Sequence, residues 1–237
     1  MKNKKIKNSL AISVVMSTYN EPLDWISKSI DSILEQTFKD FEFIIINDNP
    51  KRQELKKFLE DYRKKDPRIK LIKNKTNLGL TKSLNRGLRI AQGKYISRMD
   101  ADDISMKKRF QVQYEYLEKH KKVFLSSTCA INVDENETEI SRHFIIPYSK
   151  IINWRLKKKN CLYHSTIMFR NEKILYNEKL KFAQDYGLYL FLLKKGKKMI
   201  GIPRFLLKYR INSNSITHLK RKEQANFVKL AKKIYLG

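Results

Sequence analysis

The chain has little that bends, staples or spans. Its 237 residues include only 7 glycines and 5 prolines, so long flexible linkers are not expected. It has two cysteines, Cys129 and Cys161, which lie far apart and match no metal-site spacing. They read as two buried free thiols of a reducing compartment, which excludes a disulfide scaffold and places the chain in the cytoplasm. The longest apolar run, Leu188 to Leu193, has six residues. A membrane-crossing helix needs roughly 20. Lys2, Lys4, Lys5 and Lys7 are followed by no apolar segment or cleavage site, so no signal peptide is expected.

Negative charge is also scarce. Lys and Arg number 51 against 24 Asp and Glu, a formal net charge of +27. Such a surface suits an anionic partner: nucleic acid, an acidic membrane or a phosphorylated substrate. The basic runs at Lys2–Lys7, Lys157–Lys159, Lys194–Lys198 and Lys220–Lys222 are spread along the chain rather than gathered in one tail. Hydrophobic residues make up 41%, which excludes wholesale disorder. The length suits one large α/β domain or two small ones.

Against this background, three carboxylates fall within four residues at Asp100-Ala101-Asp102-Asp103, straight after the strand-like run Tyr95 to Met99. Carboxylates crowded at a strand end repel one another unless a cation sits between them. A divalent metal carrying a phosphate ligand would supply that charge. The plainer reading is a polar turn whose Asp caps a helix starting near Ser105 or Met106.

The first 120 residues alternate strand and helix signals. Ile12 to Ser17 reads as a strand ending at Thr18-Tyr19-Asn20. Pro22 then opens a helix striped by Leu23, Ile26, Ile30, Ile33 and Leu34. Phe41 to Ile46 reads as a strand buried on both faces that stops at Asn47-Asp48-Asn49-Pro50. A helix through Leu55, Phe58, Leu59 and Tyr62 follows, then a strand at Arg68 to Ile72 and a turn at Asn77-Leu78-Gly79. The helix through Leu80, Leu84, Leu88 and Ala91 is expected to end at Gly93. Tyr95 to Met99 is the fourth strand, and a helix with Met106, Phe110 and Leu117 completes this half.

Repeated strand–helix units imply a mostly parallel sheet with helices on both faces, and ligands then bind beyond the carboxyl ends of the strands. Three polar clusters lie at such ends: Thr18 to Glu21, Asn47 to Asn49 and Asp100 to Asp103. Their convergence on one rim raises the acidic cluster above a helix cap.

The second half is less regular. Strands are expected at Val123–Ile131, Glu139–Ile146, His164–Phe169 and Phe205–Ile211, with helices at Ile151–Leu156 and Tyr186–Leu193. Glu223–Leu236 reads either as a closing helix or as a basic amphipathic helix on a membrane surface. A soft boundary near residue 121 separates a nucleotide half, 1–121, from an acceptor half, 122–237, within one continuous domain.

These residues carry a family resemblance. Ser13-Val14-Val15-Met16-Ser17-Thr18-Tyr19-Asn20-Glu21 resembles the opening strand of the family 2 glycosyltransferases. Asn77-Leu78-Gly79-Leu80 through Asn85, then Ala91-Gln92-Gly93-Lys94-Tyr95-Ile96, leads into Arg98-Met99-Asp100-Ala101-Asp102-Asp103. That series is similar to the approach to the family's Asp-x-Asp motif. The match spans roughly residues 12 to 120 and thins afterwards to Tyr163-His164-Ser165-Thr166 and Gln184-Asp185-Tyr186.

The resemblance implies a GT-A fold, a UDP-sugar donor, a glycan or lipid-linked hydroxyl acceptor and inversion at the anomeric carbon. It implies donor contacts from Ser17, Thr18, Tyr19, Glu21, Asp48, Asn85, Arg98, Asp100 and Ala101, with Asp48 meeting the base. It implies Mn²⁺ or Mg²⁺ on Asp102, with Asp100 at the ribose or the metal. Asp185 matches the catalytic base, and His164 is a possible acceptor or phosphate contact. Arg98 reads as orienting a carboxylate, and Asp103 as capping the next helix. Two features depart from the family pattern: Asn47-Asp48-Asn49-Pro50 replaces the usual acid pair and small residues, and Asn212 stands where relatives often carry His, with His218 a weak substitute.

No nucleic-acid partner is expected. The basic surface would hold the enzyme peripherally at the cytoplasmic face of an acidic membrane, in surface polysaccharide synthesis. The competing reading is a basic membrane- or nucleic-acid-binding protein that kept the fold without the activity.

Overall fold

The computed structural model describes residues 10–212 and 220–237. The first half alternates as its periodicity predicts: β1 (Ile12–Thr18), α1 (Leu23–Leu34), β2 (Phe41–Asn47), α2 (Gln53–Lys65), β3 (Ile69–Lys73), α3 (Leu80–Ile90) and β4 (Tyr95–Arg98). A two-residue strand β5 (Ile104–Ser105) precedes α4 (Arg109–Lys119). Then come β6 (Val123–Val133), β7 (Glu139–His143), α5 (Ser149–Lys158), β8 (Met168–Arg170), α6 (Gln184–Lys194), β9 (Lys198–Arg210) and α7 (Arg221–Tyr235).

One nine-stranded sheet joins them in the order β3-β2-β1-β4-β8-β6-β9-β5, with β7 paired to the last residues of β6, beyond β8. β1, β2, β3 and β4 are mutually parallel. β8 runs against β4 and β6, so β6 and its parallel neighbour β9 point the same way as the first four strands. The chain steps from β1 outward to β2 and β3, then returns to the other side of β1 as β4. That reversal opens a crevice at the carboxyl ends of β1 and β4, where α/β sheets bind ligands.

β2 shows why the apolar run works. Phe43 and Ile45 point into one core with Ile26, Ile30, Leu55, Leu59 and Phe110. Ile44 and Ile46 point into the other with Leu84, Leu88, Ile152, Leu156 and Tyr186. Helices therefore cover both faces, as a buried parallel strand requires. Glu42 lies inside the run at 3% exposure. It is tolerated because Ser13 Oγ and the Gln92 amide donate to its carboxylate and Lys70 pairs with it.

Several expectations need correction. The segment 164–169 is a short 3₁₀ turn, His164–Thr166, before the three-residue β8. The helix expected near Ser105 begins at Arg109, because Ile104 and Ser105 pair with β9 instead. Cys129 is buried, but Cys161 is only half-buried; both are free thiols. Of the two readings offered for the last segment, α7 fits the closing helix: Phe227, Val228, Ile234 and Tyr235 pack on the core, while Leu230 and Leu236 stay exposed. Gly93 does not end α3, which stops at Ile90. Its need for glycine is steric, since a Cβ there would lie 2.5 Å from the Ile12 carbonyl carbon. Gly93→Ala is therefore expected to push β4 off β1 at about 3 kcal/mol or more, read as a lowered urea midpoint.

Candidate functional site

The β1/β2 register sets Thr18 beside Asn47, which brings two of the polar strand ends together. The Glu21 carboxylate folds the loop after β1 back on itself, accepting from the Thr18 hydroxyl at 2.9 Å and the Tyr19 amide at 2.7 Å. Asn49 ties this loop to β2 by donating to Asn20 Oδ1 at 2.8 Å. Ser17 and Thr18 are buried at the strand end, while Tyr19 is 42% exposed. Tyr19 is thus a rim residue and not part of the core.

Asp48 and Asn85 turn out to be occupied by the protein. Asp48 is buried and accepts from Asn74 Nδ2 at 2.6 Å, the Leu78 amide at 2.8 Å and the Gly79 amide at 2.9 Å. Its carboxylate fixes the turn that starts α3, where Gly79 adopts a φ of 80°. Oδ2 accepts only the Gly79 amide and keeps a second lone pair for a further donor. Asn85 is 1% exposed and clamps the loop before α6: it donates to the Tyr176 carbonyl and Glu178 Oε1 and accepts from the Tyr176 amide. Both residues position the rim from behind.

The acidic cluster contains three carboxylates in three different environments. Arg98, 1% exposed, pairs with Asp100 Oδ1 and donates to the Val15 carbonyl. Ser165 Oγ donates to Asp100 Oδ2 at 2.6 Å. Burial alone would raise the Asp100 pKa, but the Arg98 guanidinium reverses this and holds it below the ordinary value. Asp103 is 1% exposed and accepts the Arg210 amide at 2.9 Å, so it anchors β9 rather than capping a helix. Burial and the neighbouring Asp102 push its carboxyl up, towards the neutral acid.

Asp102 is the carboxylate left over. Asn212 Nδ2 reaches its Oδ2 at 3.2 Å, and Arg210 Nε is directed to its backbone carbonyl instead, at 2.9 Å. Burial, then Asp100 and Glu21, push the Asp102 carboxyl up to about 7, and Arg210 offsets this only in part. A positive charge placed beside Asp102 would lower this carboxyl again. Among the described residues no group of three or more His, Cys, Asp or Glu is arranged to hold a metal ion. A metal here would therefore rest on one or two carboxylates and draw its other ligands from diphosphate oxygens and water, as Mg²⁺ commonly does. The oxygen donors fit that chemistry. His218, the weak substitute ligand, lies outside the described residues.

Asp185 lies in the first turn of α6, one residue inside Gln184, and the N-cap is Ala183. It is therefore not the cap. Asn160, on the loop after α5, donates to its Oδ2 at 2.7 Å. Burial raises the Asp185 pKa, with a smaller push from Asp100, while the Tyr186 amide and Asn160 oppose it. Several residues that hold the rim together carry little sequence signal. Ser165 bridges the 3₁₀ turn to Asp100. Arg109, 0% exposed, donates to the Arg98 and Ser165 carbonyls. Arg210 lies over Trp25 at 4.8 Å.

His164 Nε2 sits 2.7 Å from Tyr176 Oη. Burial first, then Arg98, depress its pKa from 6.5 to about 3, against a smaller opposing pull from Asp100. The imidazole is neutral in the folded protein. The unfolded chain takes up the proton first, so stability is fully present above pH 6.5 and is lost as pH falls below it. Between pH 7 and pH 5 this amounts to about 2 kcal/mol. His164→Gln is expected to remove that component from the urea stability profile.

Two cavities, of about 160 Å³ and about 410 Å³, lie elsewhere in the fold, and the rim residues do not line them.

Comparison with known proteins bears on the family and the fold. Residues 13–175 match the model of the family described as glycosyl transferase family 2. An uncharacterized glycosyltransferase of Methanocaldococcus jannaschii, MJ1057, is 37% identical over 225 residues, covering 92% of this chain and 78% of that one. The amylovoran biosynthesis glycosyltransferase AmsE of Erwinia amylovora is 28% identical over 228 residues, covering 94% and 84%. Among solved structures, S. aureus TarS 1-349 in complex with UDP-GlcNAc superposes with a TM-score of 0.72 at 18% identity. The match covers 94% of this chain and 66% of that one, and it speaks to the fold alone.

Proposed function

The chain belongs to glycosyl transferase family 2, and from that premise we propose that it is an inverting enzyme moving a sugar from a UDP-sugar to a hydroxyl of a glycan or lipid-linked acceptor. Relatives that serve in the assembly of bacterial polysaccharides support surface glycan synthesis as its setting. TarS was crystallised with UDP-GlcNAc, which supports a UDP-sugar as donor. The observation that carries the reading is the division of labour in the acidic cluster. Asp100 is neutralised by Arg98, Asp103 is tied to β9, and Asp102 is left with only the partial offset of Arg210.

In this reading the donor lies along the ends of β1, β2 and β4. Ser17, Thr18, Tyr19 and Glu21 border it on one side, and Asp100, Ala101 and Asp102 on the other. Arg98 fixes Asp100 so that the cluster keeps its shape. Asp102, with or without help from Asp100, would hold Mn²⁺ or Mg²⁺, which when bound neutralises charge on the departing diphosphate. Asp185 accepts the proton of the acceptor hydroxyl as it attacks from the opposite face. Asn160 orients the carboxylate for that task. His164, neutral and bonded to Tyr176, is placed to shape the acceptor side and does not supply charge. The half 1–121 carries the donor and 122–237 the acceptor. The net charge of +27 suits a peripheral position on an anionic membrane surface, and among the described residues no helix is long and apolar enough to cross one.

The test is a thermal shift with UDP and Mn²⁺. Saturating ligand at about 100 times its Kd stabilises by about 2.7 kcal/mol, a readily measured rise in melting temperature. A donor screen read out by released UDP then names the sugar. No response to any nucleoside diphosphate, together with salt-sensitive binding to DNA, would reverse the reading in favour of a binding protein on this fold.

A further inference from the structure

A second surface of this molecule has a chemistry of its own. Between Glu139 and Glu172 the chain carries no Asp or Glu, yet it holds Arg142, Lys150, Arg155, Lys157, Lys158 and Lys159. The middle of this segment is α5. Ile152 and Leu156 face the core and are buried. On the outer side, spaced three residues apart, stand Tyr148 at 67% exposure, Ile151 at 39% and Trp154 at 56%. Lys158, one turn beyond Trp154, places its ammonium 3.9 Å from the indole centroid. Arg155 lies one turn beyond Ile151 and is exposed. A folded helix that already has a buried stripe does not need a second apolar ridge for its own stability.

From this we infer that the ridge Tyr148–Ile151–Trp154, flanked by Arg155 and Lys158, seats the chain on an anionic bilayer, with the carboxyl end of α5 beside the lipid-linked acceptor. This rests on the membrane reading above and names the surface responsible. Trp and Tyr with interleaved Lys and Arg suit the headgroup level, where rings contact acyl carbons and cations meet phosphate. A stretch free of carboxylates meets an acidic leaflet without repulsion. α7 suits the same end less well, because its aromatic residues Phe227 and Tyr235 pack on Phe182 and Phe191 and it exposes no aromatic ridge of its own. It does extend the basic surface, since Lys232 Nζ donates to the Lys158 carbonyl and joins the two helices. The position also makes sense for the chemistry. Asn160, two residues after α5, holds Asp185, and Tyr186 Oη donates to the Leu156 carbonyl. A membrane under α5 would bring a lipid-borne hydroxyl close to the proposed base.

The experiment compares the parent protein with Ile151→Ser/Trp154→Ser and with Lys158→Glu. Each is sedimented with vesicles of phosphatidylcholine plus phosphatidylglycerol and with phosphatidylcholine alone. The parent is expected to sediment with the anionic vesicles only. Lys158→Glu is expected to lower partitioning roughly fivefold or more, and the double variant roughly tenfold or more, with melting temperature and turnover of a water-soluble acceptor unchanged. If the double variant sediments like the parent, the ridge is not the docking surface and the membrane reading stands without it. If the parent itself ignores anionic vesicles, both fall. If the double variant keeps its vesicle binding but loses turnover with the soluble acceptor, the ridge is a platform for the acceptor glycan and the inference is overturned.

Discussion

Asp102→Ala is expected to abolish sugar transfer, by about 10³-fold or more in kcat, without lowering the melting temperature. The two halves of that result have the same origin. A carboxyl whose pKa has risen from 3.8 to about 7 is one whose charged form the folded protein disfavours. Such a group subtracts stability as pH climbs through that window, because the unfolded chain releases the proton more readily. Removing it at neutral pH relieves the repulsion from Asp100 and Glu21 and leaves only Asn212 without its acceptor. A side chain that weakens the fold and is nonetheless needed for turnover is the mark of a functional residue.

Asp100→Ala is the informative control. It also disables the site, but it strips the partner from Arg98, which is 1% exposed and has nowhere else to put its charge. That change is expected to cost about 3–5 kcal/mol and to lower the melting temperature clearly. If Asp102→Ala proves destabilising while transfer continues, Asp102 is a structural turn residue and the metal reading fails.

Legibility in the sequence followed the physics of each segment. The half from Ile12 to Leu117 was readable because β1, β2 and β4 are short, apolar and separated by helices with clear stripes, so periodicity and topology pointed to the same rim. The roles within the rim were less readable. Asp48 and Asp102 look alike in sequence, each an acid just beyond a strand end, yet one is enclosed by Asn74, Leu78 and Gly79 and the other has only the partial offset of Arg210. Only three-dimensional neighbours separate them. The second half was harder still. β8 is three residues long, and β5 is two, paired to the far end of β9. Strands that short owe their conformation to their partners, and no periodicity can develop within them. The roles of Ser165 and Arg210 are not legible in the sequence for a similar reason. Each acts through contacts to residues that lie far away in the chain, Ser165 to Asp100 and Arg210 to Asp102 and Asp103, which leaves no local pattern.

Asp185→Asn is expected to cut kcat by about 10²–10⁴-fold while leaving donor affinity and the UDP-induced thermal shift intact. The replacement keeps the shape of the side chain, and its amide oxygen can still accept from Asn160, so α6 and the loop after α5 should hold their places. What disappears is the capacity to take a proton. This separates Asp185 from Asp102, whose loss should weaken the response to UDP with metal as well. The pH profile supplies a further distinction. A base works when deprotonated, and burial raises the Asp185 pKa above the ordinary 3.8. The acidic limb of the parent's kcat profile should therefore lie at a higher pH than an exposed carboxylate would give. In Asp185→Asn the residual rate should lose that limb altogether. A variant that retains the limb would locate the base elsewhere on the rim. A variant with full turnover would leave Asp185 as no more than the residue that orients the start of α6.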